Sequence, residues 1–318
     1  MEPVLNSWLK NISKNLSAKE TSFWGIETMR EKFLPLYISL FLLFFPLISC
    51  TKLALRLAPP LFSNFASSIF EECDVELARK AIPANLKLME GLLKNDPNNK
   101  NILSALSLGY AGYSLLFVEA ENPRRASDFY LRSINYGIKA LGRSGAVLWN
   151  LATPAHTLKG VLSGLHAEDF QALMWTTLAL NAWINVNLEK PEALARLGLS
   201  QACVSRVLEM NPSFLHGLPH ILAGVNLAAL PPMFGGNPEK AKAHFEEALK
   251  ISHRKFFLAH YYYARYYAVR VQDKKLFLKL IRECAAGNSQ QLKDVCLINS
   301  VCQARAKRLH NRIDELFF

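Results

Sequence analysis

The chain has 318 residues, about half of them apolar, so it can bury a sizeable core and is too apolar to be disordered. Its formal charge of +11 favours anionic partners such as acidic headgroups or carboxylates. No run of five like charges occurs, and no basic stretch is interleaved with aromatics as a nucleic-acid binder requires, so nucleic acid is not an expected partner.

Residues 1–28 are polar and match no targeting signal; we read them as an N-terminal extension, with Met29 the expected start. From there "MREKFLPLYISLFLLFFPLISC" sets Arg30 and Lys32 before an apolar core from Leu36 to Leu47, flanked by Pro35 and Pro46. That is the layout of a secretory signal, because a membrane span needs about 20 apolar residues. Its last residues, Leu47-Ile48-Ser49-Cys50, resemble a bacterial lipobox. A signal peptide over 29–49 is expected to be cleaved and Cys50 acylated, leaving 50–73 as a lipid-anchored segment before a helical domain over 74–318. Each buried acyl methylene adds about 0.8 kcal/mol of membrane affinity, so several chains tether firmly.

Beyond Cys50 lie Cys73, Cys203, Cys284, Cys296 and Cys302. An odd number leaves at least one unpaired, and no CxxC spacing suggests metal or redox work. Cys203, Cys284, Cys296 and Cys302 fall in helical patterns, which predicts small buried apolar side chains.

After residue 70 almost nothing reads as strand. Val75 to Asn95 is a predicted helix containing Pro83 and ended by Asp96-Pro97. Then a corner recurs: Asn122-Pro123-Arg124-Arg125-Ala126 with Tyr130 four residues on, Lys190-Pro191-Glu192-Ala193, Asn237-Pro238-Glu239-Lys240-Ala241 with Phe245, and Asp273-Lys274-Lys275-Leu276. Asn caps a helix through its side-chain oxygen, and Pro suits the first helical position because its missing donor is not needed there. Gly235-Gly236 follows a helix, and Pro238 removes a donor where an anion would sit, so this is a corner and not a phosphate loop. Leu173, Trp175, Thr176, Leu180 and Trp183 recur at helical spacing. Gly142 to Ala167 reads as an insertion, and Gln290 to Leu316 as one long terminal helix. The expected fold is all-α, with degenerate tetratricopeptide-type hairpins stacked into a solenoid-like single domain under a C-terminal capping helix.

Ordered pieces carry a more specific likeness: "ELARKAIPANLKLMEGLLKNDPNN", "RRASDFYLRSINYGIKAL", "ALMWTTLALNAW", "SRVLEMNPSFLHG", "LPPMFGGNPEKAKAHFEEAL", "YYAVRVQDKKLF" and "AKRLHNRIDELFF". From about Asp74 to Phe318 the chain resembles the TatT family, lipoproteins associated with TRAP transporters and built on degenerate tetratricopeptide repeats. The resemblance implies an exported, lipid-anchored protein that works beside the periplasmic solute-binding component, as a homotrimer with an apolar pore or cavity through each subunit.

No catalytic constellation emerges. His216 and His220 are four apart, but Pro219 intervenes and no third ligand follows, so they read as structural. We expect a non-enzyme without metal or cofactor. The run "RKFFLAHYYYARYYAV" puts Tyr263 and Tyr267 on one stripe and Tyr262 and Tyr266 on the next, more aromatic surface than one core seam needs. With Tyr113, Trp175 and Trp183, these residues are the expected lining of an apolar passage that orients a hydrophobic or carboxylate ligand. The alternative is a scaffold that presents a groove to another envelope protein and binds no small molecule.

Overall fold

Three of the four repeated corners form the same N-cap. Asn122, Asn237 and Asp273 each accept, on a side-chain oxygen, the backbone N–H three residues on: Arg125 at 3.0 Å, Lys240 at 2.9 Å and Leu276 at 2.9 Å. At the fourth, Lys190 has no side-chain acceptor, and the helix opened by Pro191 stops after one turn. The computed structural model describes residues 59–317, with side chains from Asn64 onward; the extension 1–28, the signal 29–49 and Cys50 lie outside the described residues.

Among the described residues every regular element is helical. In chain order these are α1 (Pro59–Glu71), α2 (Val75–Leu93), α3 (Lys100–Tyr113), α4 (Pro123–Ala140), α5 (Gly142–Trp149), α6 (Ala155–Ser163), α7 (Phe170–Asn185), α8 (Pro191–Leu194), α9 (Leu197–Met210), α10 (Phe214–Ala229), α11 (Pro238–Ile251), α12 (Phe257–Tyr262), α13 (Lys274–Ala286), α14 (Cys296–His310) and α15 (Ile313–Leu316). Two helices run on into π-helical turns, α3 through Ser114–Val118 and α12 through Tyr263–Ala268. Within them Glu119 N–H donates to the Ser114 carbonyl and Val269 N–H to that of Ala264.

Neighbours in sequence pack together: α3 on α4, α4 on α7, α7 on α9, α10 on α11, and α13 on both α12 and α14. The helices divide into two kinds. On α7 every residue from Ala172 to Ile184 is buried, so it lies in the interior. On α11 only Ala241, Phe245, Ala248 and Leu249 are buried, the single stripe of an outer helix. Phe245 fills the seam between hairpins: its ring stacks on Tyr263 with centroids 5.0 Å apart, and a Cβ at Gly224 would lie 2.9 Å from it, so only glycine lets α10 approach.

Two regions depart from the sequence reading. The insertion folds as α5 and α6, laid against α9. The predicted terminal helix begins six residues late, because residues 289–295 form two short 3-10 turns before α14. That helix also does more than cover α12 and α13, for it packs on α1 and α2, and Cys296 is joined to Cys73 by a disulfide spanning 223 residues. Helical spacing places Cys296 inside but cannot reveal a partner so distant. Cys203, Cys284 and Cys302 are free and buried, and burial pushes the thiols of Cys203 and Cys302 up to about 12.

Candidate functional site

Four inner helices each turn one face to a common axis. Leu115 and Glu119 come from the end of α3, Leu178, Ala182 and Asn185 from α7, Leu218, Leu222 and Val225 from α10, and Leu258, Tyr262 and Tyr266 from α12. Steps of three and four put each set on one helical face. They enclose an inner void of about 20 Å³. Leu115, Leu178, Leu218 and Leu258 also line a middle void of about 30 Å³, and Phe70, Leu108, Gly112 and Leu116 of that void line an outer cavity of about 80 Å³ between α1, α2 and α3. The three spaces are therefore successive neighbours that share walls. Each inner one holds only a water or two, so a chain entering here must displace leucine side chains. Leu215, which reaches the middle void, belongs to a run with Leu215, His216 and Gly217 at φ of 42°, 56° and 87°, a costly conformation for the first two.

The two ends of this series differ in chemistry. The outer cavity is lined by Ile69, Leu86, Met89 and Leu92, with Phe65 and Leu88 left exposed at its rim. At the inner end stand Glu119, Asn181, Asn185, Tyr262 and Tyr266. Asn181 donates its amide to the Thr177 carbonyl at 3.0 Å, and its buried Oδ1 has no partner. Glu119 accepts the Tyr130 hydroxyl at 2.5 Å. Burial, then the Glu119 charge, holds the Tyr130 and Tyr262 hydroxyls well above the usual range, and burial pushes Tyr266 up to about 12, so these remain neutral hydrogen-bonding groups. Behind them lie two guanidiniums. Arg265 donates to the Tyr261 hydroxyl at 3.3 Å and lies 5.3 Å from the Tyr266 ring centre. The buried Arg305 donates to the carbonyls of Leu115 at 2.6 Å and Leu116 at 3.1 Å, within the first π-helical turn.

A family model described as the TRAP transporter T-component matches residues 71–317, nearly all of the described structure. The chain belongs to this family. An uncharacterised protein of Treponema pallidum (strain Nichols) is 24% identical to it over 276 residues, covering 80% of this chain and 84% of that protein. Membership makes this T-component an accessory of TRAP transport, at work in the cell envelope, in a family of transporter accessories and not of known enzymes.

The aromatic residues singled out in the T-component sequence are distributed along and beside the passage. Tyr113 lines the outer cavity, Trp175 the middle void, and Tyr262 and Tyr266 the inner void. Tyr263 stacks on Phe245 and donates to Glu246 at 2.8 Å, with Tyr267 beside it at 5.3 Å between centroids. Trp183 is buried on α7, its Nε1 without a partner. His216 Nε2 meets the Asp294 carboxylate at 2.7 Å, and His220 Nδ1 meets His244 Nδ1 at 3.0 Å; burial lowers the pKa values of His220 and His244, that of His220 also through His244. Among the described residues no three His, Cys, Asp or Glu side chains converge as a metal site. Sequence reasoning passed over Glu119, Asn181, Asn185, Arg265 and Arg305. Asn181 and Asn185 carried a readable signal, two amides four residues apart on an otherwise apolar helix.

A wider concavity of about 460 Å³ lies between α5, α6 and α9. Its cations are Lys159, Arg196 and Arg206. Arg196 lies flat on Trp149, 3.3 Å from the ring centre, and donates to the Trp149 carbonyl at 3.0 Å; Arg206 donates to Leu165 at 2.7 Å and pairs with Glu209 at 3.2 Å. Both arginines thus satisfy carbonyls at the ends of α5 and α6.

Proposed function

We propose that this T-component is an exported lipoprotein, acylated at Cys50, that binds the periplasmic solute-binding component of a TRAP transporter and holds or passes a hydrophobic or amphipathic carboxylate along its inner series of voids. In this reading residues 74–318 form a tetratricopeptide-like stack assembled as a homotrimer, and Tyr113, Trp175, Tyr262 and Tyr266 face the ligand. One observation carries it: four helices offer one face each to an inner void with a polar end, which shares walls with a middle void and, through that, with an apolar outer cavity. Such a gradient suits a ligand with a tail and a head. The net positive charge agrees with an anionic head.

Gly112 supplies the test. It lines the outer and middle spaces, and a Cβ built there meets nothing within 4 Å, so Gly112→Leu places a side chain in the passage without a clash. The wild type should bind cis-parinaric acid with a rise in fluorescence, and Gly112→Leu should weaken that binding at least tenfold. Equal affinity in the two proteins would remove the passage from the mechanism. Native mass spectrometry with the cognate solute-binding protein should report a trimer and the complex. Cys50→Ser should move the protein out of the detergent phase on phase separation.

A further inference from the structure

The two π-helical turns continue α3 and α12, which both line the inner void and both contribute to its polar end. π-Helical turns are rare and are frequent at functional sites. The first delivers Glu119, and Arg305 binds two of its carbonyls; the second contains Arg265 and Tyr266. Two guanidiniums stand near the carboxylate of Glu119, which is held by Tyr130, while the exposed Glu121, paired with Arg79, also feels the charge of Arg305. Among the described residues neither Arg265 nor Arg305 forms an ion pair. For Arg305, which is buried, a charge without an ion pair is costly.

Arg265 is exposed, yet the protein around it is dense enough for burial to pull its pKa down, against the stronger upward pull of Tyr266, Tyr261 and Glu119. Asn181 adds a buried acceptor with no partner beside the same void.

We propose that the inner end of the passage is an anion subsite for the carboxylate of a monocarboxylate with an apolar tail, which takes hydrogen bonds from Tyr262 and Tyr266 in the positive field of Arg265 and Arg305. The tail runs toward the middle void between Leu178, Leu218 and Leu258, and Asn181 Oδ1 accepts from a water or hydroxyl beside the head. This rests on the passage reading above and adds to it the recognition of charge. The bound carboxylate adds its counter-charge to that of Glu119 beside Arg265.

Two probes that differ only in charge separate the claims: cis-parinaric acid and its methyl ester, titrated by fluorescence. The wild type should prefer the acid at least tenfold. Arg265→Gln should abolish that preference by weakening the acid and not the ester, while Arg265→Lys should keep part of it. Because Arg265 is exposed, these variants should melt with the wild type; Arg305→Gln, which frees two buried carbonyls, is the less clean test. If both probes bind equally, or if Arg265→Gln leaves their ratio unchanged, the anion subsite is wrong and the passage still stands. If the wild type binds neither probe, the passage reading fails and the subsite with it.

Discussion

The passage and the side groove make opposite offers. The groove is several times larger, about 460 Å³ against 80 Å³ for the widest part of the passage, and holds three cations. Yet both its arginines satisfy carbonyls at helix ends and Arg206 pairs with Glu209, although among the described residues the buried Nε of Arg206 has no hydrogen-bond partner and Lys159 no ion pair. The passage is narrow, but its polar end keeps an unpartnered amide oxygen and two guanidiniums with no ion pair among the described residues. Volume measures where a ligand could fit. Unsatisfied hydrogen bonds and uncompensated charge indicate where binding would bring a gain, because a group already held by the protein gives up as much as it receives.

That contrast can be broken or sharpened in four ways. The largest effect should come from the Cys73–Cys296 disulfide, which closes a loop of more than 200 residues beside the end of α1, one wall of the outer cavity. Its loss in Cys73→Ser should lower stability by roughly 2–5 kcal/mol in a denaturant titration. It should also alter probe binding in the passage; unchanged binding would show that the passage does not need α1 held in place.

Next is Glu90, a polar cluster whose hydrogen-bonding capacity is taken up. Burial pushes its pKa up, but Lys87, the Tyr110 hydroxyl at 2.7 Å, the Tyr136 hydroxyl at 2.9 Å and Arg132 together bring it down to about 2. A carboxylate with a depressed folded-state pKa adds stability above its ordinary value of 4.5, and that stability is lost as pH falls toward 2. Glu90→Gln should therefore cost about 2–3 kcal/mol at neutral pH and flatten the melting temperature across that window. Probe affinity should not move, since this cluster has nothing left to offer a ligand.

Third come two glycines with equally open space. Gly112 lies in the passage and Gly198 in the groove, and a Cβ at either meets nothing within 4 Å. Both sit in helices, where a larger residue should if anything stabilise. Gly112→Leu should weaken the acid probe at least tenfold, whereas Gly198→Leu should leave it unchanged. The reverse outcome would move ligand binding from the passage to the groove. The smallest effect should be that of Arg206→Ala, a loss of about 1 kcal/mol from released carbonyls with no change in probe affinity.

Much of the architecture was legible in the sequence because it is written locally. Asn122, Asn237 and Asp273 cap helices through an atom three residues away, and Ala241 and Phe245 mark a buried stripe by spacing alone. The site was legible in part. A tyrosine run announces surplus aromatic surface, but which stripe meets the void and which meets Phe245 depends on how α12 is rotated against α11. Arg265 inside that run looked like an ordinary surface charge, and Arg305 like part of a solvated terminal helix.

By itself, then, the sequence determined an all-helical chain, its corners and its family, since capping and periodicity act within a few residues. Only the tertiary structure decided that α14 reaches back to α1 and α2, that Cys296 finds Cys73, and that Glu119, Tyr262 and Tyr266 line one void with Arg265 and Arg305 near its tyrosines. Those meetings join positions more than 200 residues apart, and they depend on the packing angles of whole helices, which no local pattern encodes.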